Sequence, residues 1–233
     1  MRKEYRGLLI IYILVLLGFV MVAVTGERAV NAIAEDDSLS IRHCIVIDAG
    51  HGGIDGGAIS CTGALESQIN LEIALRLQDL SHLLGYDTCM IRQTDTSVHT
   101  KGETIAQKKI SDLKERVRII NETDNAVLLS IHQNHFPDDK YSGAQVFYNG
   151  SNESMALAQI LQDSFIATVN PGSNRKTKKA QGIYLMEHID CTGVLIECGF
   201  LSNYQEEAKL RTEQYQKELC CVIIAAVSRY LSS

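Results

Sequence analysis

Short apolar runs rich in β-branched residues alternate along this 233-residue chain with longer stretches of helical period, and that alternation limits the possible folds more than any other feature. The runs are HCIVIDA (43–49), YDTCMIR (86–92), AVLLSI (126–131), AQVFYN (144–149), GIYLME (182–187) and GVLIEC (193–198), each of a length suited to a buried strand. Between the first two, Ile69, Ile73, Leu77, Leu80 and Leu84 share one helical face over residues 67–84, and Gly85 supplies a stop. Leu113, Val117 and Ile120 mark a second helix over 111–122, and Leu157, Leu161 and Phe165 a third over 153–168. Leu219, Ile223, Ala226 and Tyr230 mark a last one over 212–231. The polar stretch 93–109 reads as a loop. Strands that alternate with helices predict an α/β fold with a mainly parallel sheet between helices. In such a sheet, ligands bind at the carboxyl ends of the strands.

The first 24 residues have a different character. Arg2, Lys3 and Arg6 precede the uncharged run GLLIIYILVLLGFVMVAV (7–24). Eighteen apolar residues sit at the lower limit for a membrane-spanning helix, and the basic flank favours a cytoplasmic N-terminus. No strong A-x-A-like cleavage site follows, so residues 1–24 are expected to form a cytoplasmic tip and transmembrane anchor, a cleaved and secreted form being the alternative. Residues 25–42 read as a polar tether, and 43–233 as a single domain outside the cytoplasmic membrane. The formal net charge of −6 argues against a nucleic-acid partner, which would call for a basic face. Seven cysteines without a C-x-x-C pair make a thiolate zinc cluster improbable and read as structural residues.

Three strands run into ionisable residues. The first ends in Asp48-Ala49-Gly50-His51-Gly52-Gly53, the third in Ser130-Ile131-His132-Gln133-Asn134-His135, and the last in Ile196-Glu197-Cys198-Gly199-Phe200. Glu66 opens the first helix, where the helix dipole favours a carboxylate. A sheet gathers such ends along one rim. Two imidazoles and one carboxylate form a three-ligand catalytic zinc set with a fourth position left open. A further carboxylate must then move protons, and Glu197, between an apolar strand and a glycine, stands where such a group is needed. The chemistry points to a zinc hydrolase.

These residues also carry a resemblance. IVIDAGHGGIDGGA, ESQINL, LLSIHQNHF and VLIECGFLSN occur in the order found in the zinc-dependent N-acetylmuramoyl-L-alanine amidases of the type 3 amidase family, over residues 43–231. The resemblance implies an open α/β fold around a mixed sheet, Zn2+ bound by His51, Glu66 and His132, and Glu197 as catalytic acid/base. It implies a substrate of peptidoglycan glycan strands and stem peptides, cut at the amide between N-acetylmuramic acid and L-alanine. MIRQTD, DLKERVRIIN and SGAQVFY, together with the N-terminal apolar run, look most like the germination-specific subgroup of endospore formers. That subgroup implies a role in cortex maturation, with a polysaccharide deacetylase acting downstream to form muramic-δ-lactam. The chain departs from the commonest pattern at Ala49, where proline is usual, and at His135, where a small residue is usual.

Other residues admit more than one role. Asp48 either orients a metal-bound imidazole or merely ends a strand, and Asp55 reads as a turn residue. Arg116 is expected to pair with a carboxylate. His135 reads as pocket-lining or structural, and Glu187 and His188 either border a substrate groove or stand exposed. Strand alternation turns the Cys198 thiol away from Glu197. A zinc carboxypeptidase or deacetylase on the same polymer would share the metal chemistry. A silent wall-binding regulator would be expected to have lost a ligand or the acid/base, and this chain has lost neither.

Overall fold

The structure, a computed structural model, describes residues 42–233. Six strands, β1 (Cys44–Ala49), β2 (Asp87–Met90), β3 (Ala126–Asn134), β4 (Gln145–Tyr148), β5 (Lys178–Lys179) and β6 (Thr192–Phe200), form one sheet in the order β2-β1-β3-β6-β4-β5. The four strands from β2 to β6 are parallel, and only the β4–β6 pairing is antiparallel, so the sheet is mixed and mainly parallel as expected. The helices are α1 (Glu66–Leu83), α2 (Ile105–Asn121), α3 (Asn152–Ala167), α4 (Tyr184–His188), α5 (Tyr204–Leu210) and α6 (Glu213–Leu231).

Alternation along the strands builds two cores. Ile45, Ile47, Leu129, Ile131, Val194 and Ile196 face α1, α3 and α6 and are buried with Ile73, Leu161 and Ile223. Val46, Leu128 and Leu195 face the other way, where Ile120 of α2 and Leu185 and Met186 of α4 cover them. At about 1.5–3 kcal/mol for each large aliphatic side chain removed from water, these two layers are a main source of the free energy that opposes the entropy of ordering the chain.

Four local expectations change. The run GIYLME is not a strand: residues 184–188 form α4, which buries Leu185 and Met186 and stacks Tyr184 on His188 with ring centroids 3.9 Å apart. A six-residue apolar run has no period long enough to separate the two structures. Helix α2 begins at Ile105, inside the expected loop, because Thr104 and Gln107 form a reciprocal capping box. Its buried residues are Ser111, Arg116 and Ile120, while Leu113 is left 36% exposed. Strand β3 extends past the apolar run to Asn134, so His132 lies within it, opposite Glu197 of β6. The pairing shifts between His132 and Asn134, a bulge that re-aims side chains at the rim. Helix α5 and the short edge strand β5 had no expected counterpart.

The apolar run 7–24 and residues 25–41 of the tether lie outside the described residues. Among the described residues no helix is long and apolar enough to cross a membrane.

Candidate metal centre

Strand β1 delivers His51 through a turn that continues at positive φ into Gly52 and Gly53. His51 takes the left-handed backbone conformation, φ 62°. The Arg116 guanidinium holds this turn from below: Nη2 donates to the His51 carbonyl at 2.7 Å and Nη1 to the Ala49 carbonyl at 3.0 Å. Arg116 is itself buried and pairs with Asp48 and with Asp112, whose Oδ2 lies 2.6 Å from Nε. Burial disfavours the charge on both partners, but the pairing outweighs it, holding Asp48 below the usual carboxylate range and raising Arg116. Asp48 therefore supports the turn and accepts from Ser130 Oγ at 2.7 Å; neither contact is to an imidazole.

The residue that does orient an imidazole is Asp55. Its Oδ2 accepts from His51 Nδ1 at 3.0 Å, and Lys109 Nζ of α2 lies 2.7 Å from Oδ1. Asp55 thus has more than a turn role. The sequence signal was the spacing of four residues from His51, but it becomes geometry only through the left-handed turn.

Glu66, the first residue of α1, reaches the same point. His51 Nε2 lies 3.3 Å from Glu66 Oε2, and His132 Nδ1 lies 3.0 Å from Glu66 Oε1. One ligand atom from each of the three residues falls within 4.8 Å of the others. The carboxylate is held in place by Ala58 N–H at 2.9 Å, Gln133 N–H at 3.2 Å and Asn70 Nδ2 at 3.2 Å. Asn70 in turn accepts from Gln133 Nε2 at 3.2 Å. Burial would raise the Glu66 carboxyl, but the hydrogen bonds and charges of His132 and His51 hold it far below the ordinary range. Burial would lower the His51 imidazole, but Glu66 and then Asp55 outweigh it and raise the ring to about 9.

Two glycines leave room for this cluster. A Cβ on Gly50 would meet His132 Cε1 at 2.2 Å, and one on Gly57, at φ +69°, would meet Glu66 Oε2 at 2.6 Å. The converging nitrogen and oxygen donors, the hydrogen-bonded carboxylate and the space kept clear by glycine fit a two-histidine, one-carboxylate zinc site.

Glu197 stands beside this group on the strand next to His132. Its Oε2 is buried and has no hydrogen-bond partner, which leaves an unengaged carboxylate oxygen on the strand next to His132. Burial pushes the carboxyl up to about 7, against the smaller opposing influence of His132. Cys198 is buried on the opposite face, as alternation requires. A cavity of about 200 Å³ opens next to the cluster, with Ile54, Leu113, Ile183, Leu185 and Leu195 in its walls and His51 and His132 at its end. His135, Glu187 and His188 are exposed and do not join the cluster.

A family model described as N-acetylmuramoyl-L-alanine amidase matches residues 45–229. The germination-specific N-acetylmuramoyl-L-alanine amidase of Bacillus subtilis (strain 168) is 37% identical over 190 residues, covering 81% of this chain and 79% of that protein. Among solved structures, the CwlD amidase from Clostridioides difficile in complex with the GerS lipoprotein superposes with a TM-score of 0.79 at 37% identity, over 82% of this chain and 98% of that one. An N-acetylmuramoyl-L-alanine amidase from Clostridium difficile 630 superposes at 0.72 with 30% identity, over 83% of this chain and 99% of that one.

Proposed function

The chain belongs to the N-acetylmuramoyl-L-alanine amidase family, and from that premise we propose that it hydrolyses the amide between the lactyl carbonyl of N-acetylmuramic acid and the first L-alanine of the peptidoglycan stem. The observation that carries this reading is the convergence of His51, Glu66 and His132 beside the unpartnered carboxylate of Glu197.

His51, Glu66 and His132 would hold Zn2+. When bound, the metal supplies Lewis acidity to the scissile carbonyl and eases the deprotonation of water. Glu197 Oε2 accepts the proton of the attacking water and returns it to the leaving amine nitrogen of alanine. Asp55 fixes the ring plane of His51, and Asn70 and Gln133 fix the carboxylate of Glu66. The apolar walls at Leu113, Leu185 and Leu195 exclude water from the reacting amide and suit its flanking methyl groups.

The products are a free stem peptide and a glycan bearing free lactyl carboxyl groups. A polysaccharide deacetylase would act next on such a glycan to allow lactam closure, which places the reaction in spore-cortex maturation. The similarity to a germination-specific amidase supports that setting. The basic N-terminus and apolar run 7–24 support an extracytoplasmic domain tethered to the membrane. The similarity to an amidase solved with a lipoprotein supports a protein partner for this chain.

Mass spectrometry of peptidoglycan digested by the zinc-loaded chain tests the reading. Free stem peptides and peptide-free glycan are expected. Shortened stems still attached to muramic acid, or deacetylated sugars, would replace it with a carboxypeptidase or deacetylase.

A further inference from the structure

The two strands that carry His132 and Glu197 run on into a cluster of aromatic rings that the proposed chemistry does not use. Phe136 follows His132 by four residues and Phe200 follows Glu197 by three. At about 3.3 Å per residue of extended chain, this places the rings on the order of 10 Å from the reacting groups. Tyr141 joins them. It packs edge-on to Phe136 with centroids 4.9 Å apart, and nearly parallel to Phe200 at 6.2 Å. Phe136 and Tyr141 are 48% and 38% exposed.

The cluster is rigid. Buried Glu206 accepts from Gly143 N–H at 2.6 Å through one oxygen and from Phe200 N–H at 2.8 Å through the other, locking the 135–143 loop to the end of β6. Ser202 Oγ accepts from Phe136 N–H at 3.2 Å, and Asn203 Nδ2 donates to the Asp139 carbonyl at 2.7 Å. Two exposed aromatic rings held this firmly are a prepared contact surface.

Beyond Tyr141 the surface opens into a groove of about 800 Å³. Its lining is mostly polar, with Asn174, Ser173, Gln205, Lys140, Arg175 and Lys209 beside the Glu206 carboxylate and a smaller apolar part from Val169 and Pro171. The Arg175 guanidinium lies over the Phe200 ring, 4.6 Å from its centroid. Flat rings beside many hydrogen-bonding groups match the alternating faces of a sugar, one apolar and one rich in hydroxyl and acetamido groups. They match a peptide stem less well, since a stem's methyl groups ask for aliphatic walls such as Leu113, Leu185 and Leu195 give the cavity that His51 and His132 line.

We propose that Phe136, Tyr141 and the groove beyond them form a glycan subsite that grips the sugar strand next to the muramic acid being cut. The inference rests on the amidase reading and adds to it a preference for substrate length. The cations along the groove further favour a strand whose neighbouring muramic acids already carry free lactyl carboxylates.

Hydrolysis by the zinc-loaded full chain would be measured on muropeptide substrates of one and of four disaccharides, and binding of peptide-free oligosaccharides of the same lengths by calorimetry on Glu197→Gln. The expected result is a kcat/KM that rises with length. In Phe136→Ala/Tyr141→Ala, and in the surface variant Lys209→Glu, that rise and the affinity for the longer oligosaccharide should fall, by about tenfold in the aromatic variant, as when anchors of an interface are truncated. Zinc stoichiometry in the variants reports that the fold is intact. If the variants keep the length dependence, or the unsubstituted chain shows none, the subsite is overturned. If the chain hydrolyses neither substrate, the amidase reading fails, and oligosaccharide binding with and without the aromatic pair still decides the subsite.

Discussion

Asp55 grips the outer nitrogen of the His51 ring, Oδ2 to Nδ1 at 3.0 Å, while Lys109 of α2 grips Asp55. The metal-facing nitrogen of His51 is thereby fixed by a residue that touches no metal. Asp55→Ala should leave the fold unchanged and weaken zinc binding by about 10- to 100-fold, the cost of losing an outer partner of a ligating histidine. Competition with a chelator measures it, and an unchanged zinc affinity would remove Asp55 from the site.

Glu197 and Glu66 should separate under the same substitution. Glu197→Gln keeps zinc and loses turnover by roughly 100- to 10,000-fold, because it removes proton transfer alone. Glu66→Gln loses zinc as well, because a neutral amide is a poorer ligand. Elemental analysis beside muropeptide release compares them; a zinc-depleted Glu197→Gln with a zinc-replete Glu66→Gln would mean the two roles are exchanged.

Zinc loading should release protons. The metal-free His51 ring is raised to about 9, so at neutral pH it carries a proton that a metal must displace. Apparent zinc affinity should rise with pH up to about 9 and then level off. Calorimetry in buffers of different ionisation enthalpy counts the protons released; a count of zero at pH 7 would contradict the Glu66–His51–Asp55 arrangement.

Arg116→Leu tests the support beneath the left-handed turn. It leaves Asp48 buried without its charge partner, and breaking such a pair costs about 3–5 kcal/mol. Because the folded Asp48 carboxyl titrates below its unfolded value, its stabilising contribution is complete above about pH 4 and is lost as pH falls through the folded value. Thermal unfolding between pH 3 and 7 should therefore show the variant least stable, relative to the parent, at the upper end. A constant difference would assign the loss to packing.

A chain beginning near Ser40 should be soluble, should bind zinc and should cleave soluble muropeptides, since every side chain of the metal cluster comes from residue 51 onward. A zinc-free product would tie the N-terminal segment to the site.

The strands that build the site were legible because they are buried on both faces, and continuous apolar runs rich in β-branched residues, such as IVI and VLI, have few other solutions. Chemistry singled out His51, His132 and Glu197 near their ends and Glu66 at the start of α1, and the fold brings these residues together. The supporting residues were not legible in this way. In sequence Asp48 was the candidate to orient the imidazole and Asp55 a turn residue, whereas the backbone at His51 assigns the imidazole to Asp55. Leu113 fits a buried helical face by period, yet it lines the cavity because Arg116 and Ser111 occupy the covered side of α2. The 184–188 run was misread because its two core residues, Leu185 and Met186, are adjacent and carry no period.

His132 and Glu197 occupy paired positions on hydrogen-bonded neighbouring strands, whereas His51 hangs from a turn and Glu66 from the first turn of a helix. Strand pairing ties the first two positions directly to each other. Motion of α1 against the sheet changes instead the opening between Glu66 and the imidazoles. Direct strand pairing thus joins the proposed acid/base to one proposed ligand, whereas only the packing of α1 holds Glu66 to them, so a substitution that loosens α1 should lower zinc occupancy before it disturbs the pairing of His132 with Glu197.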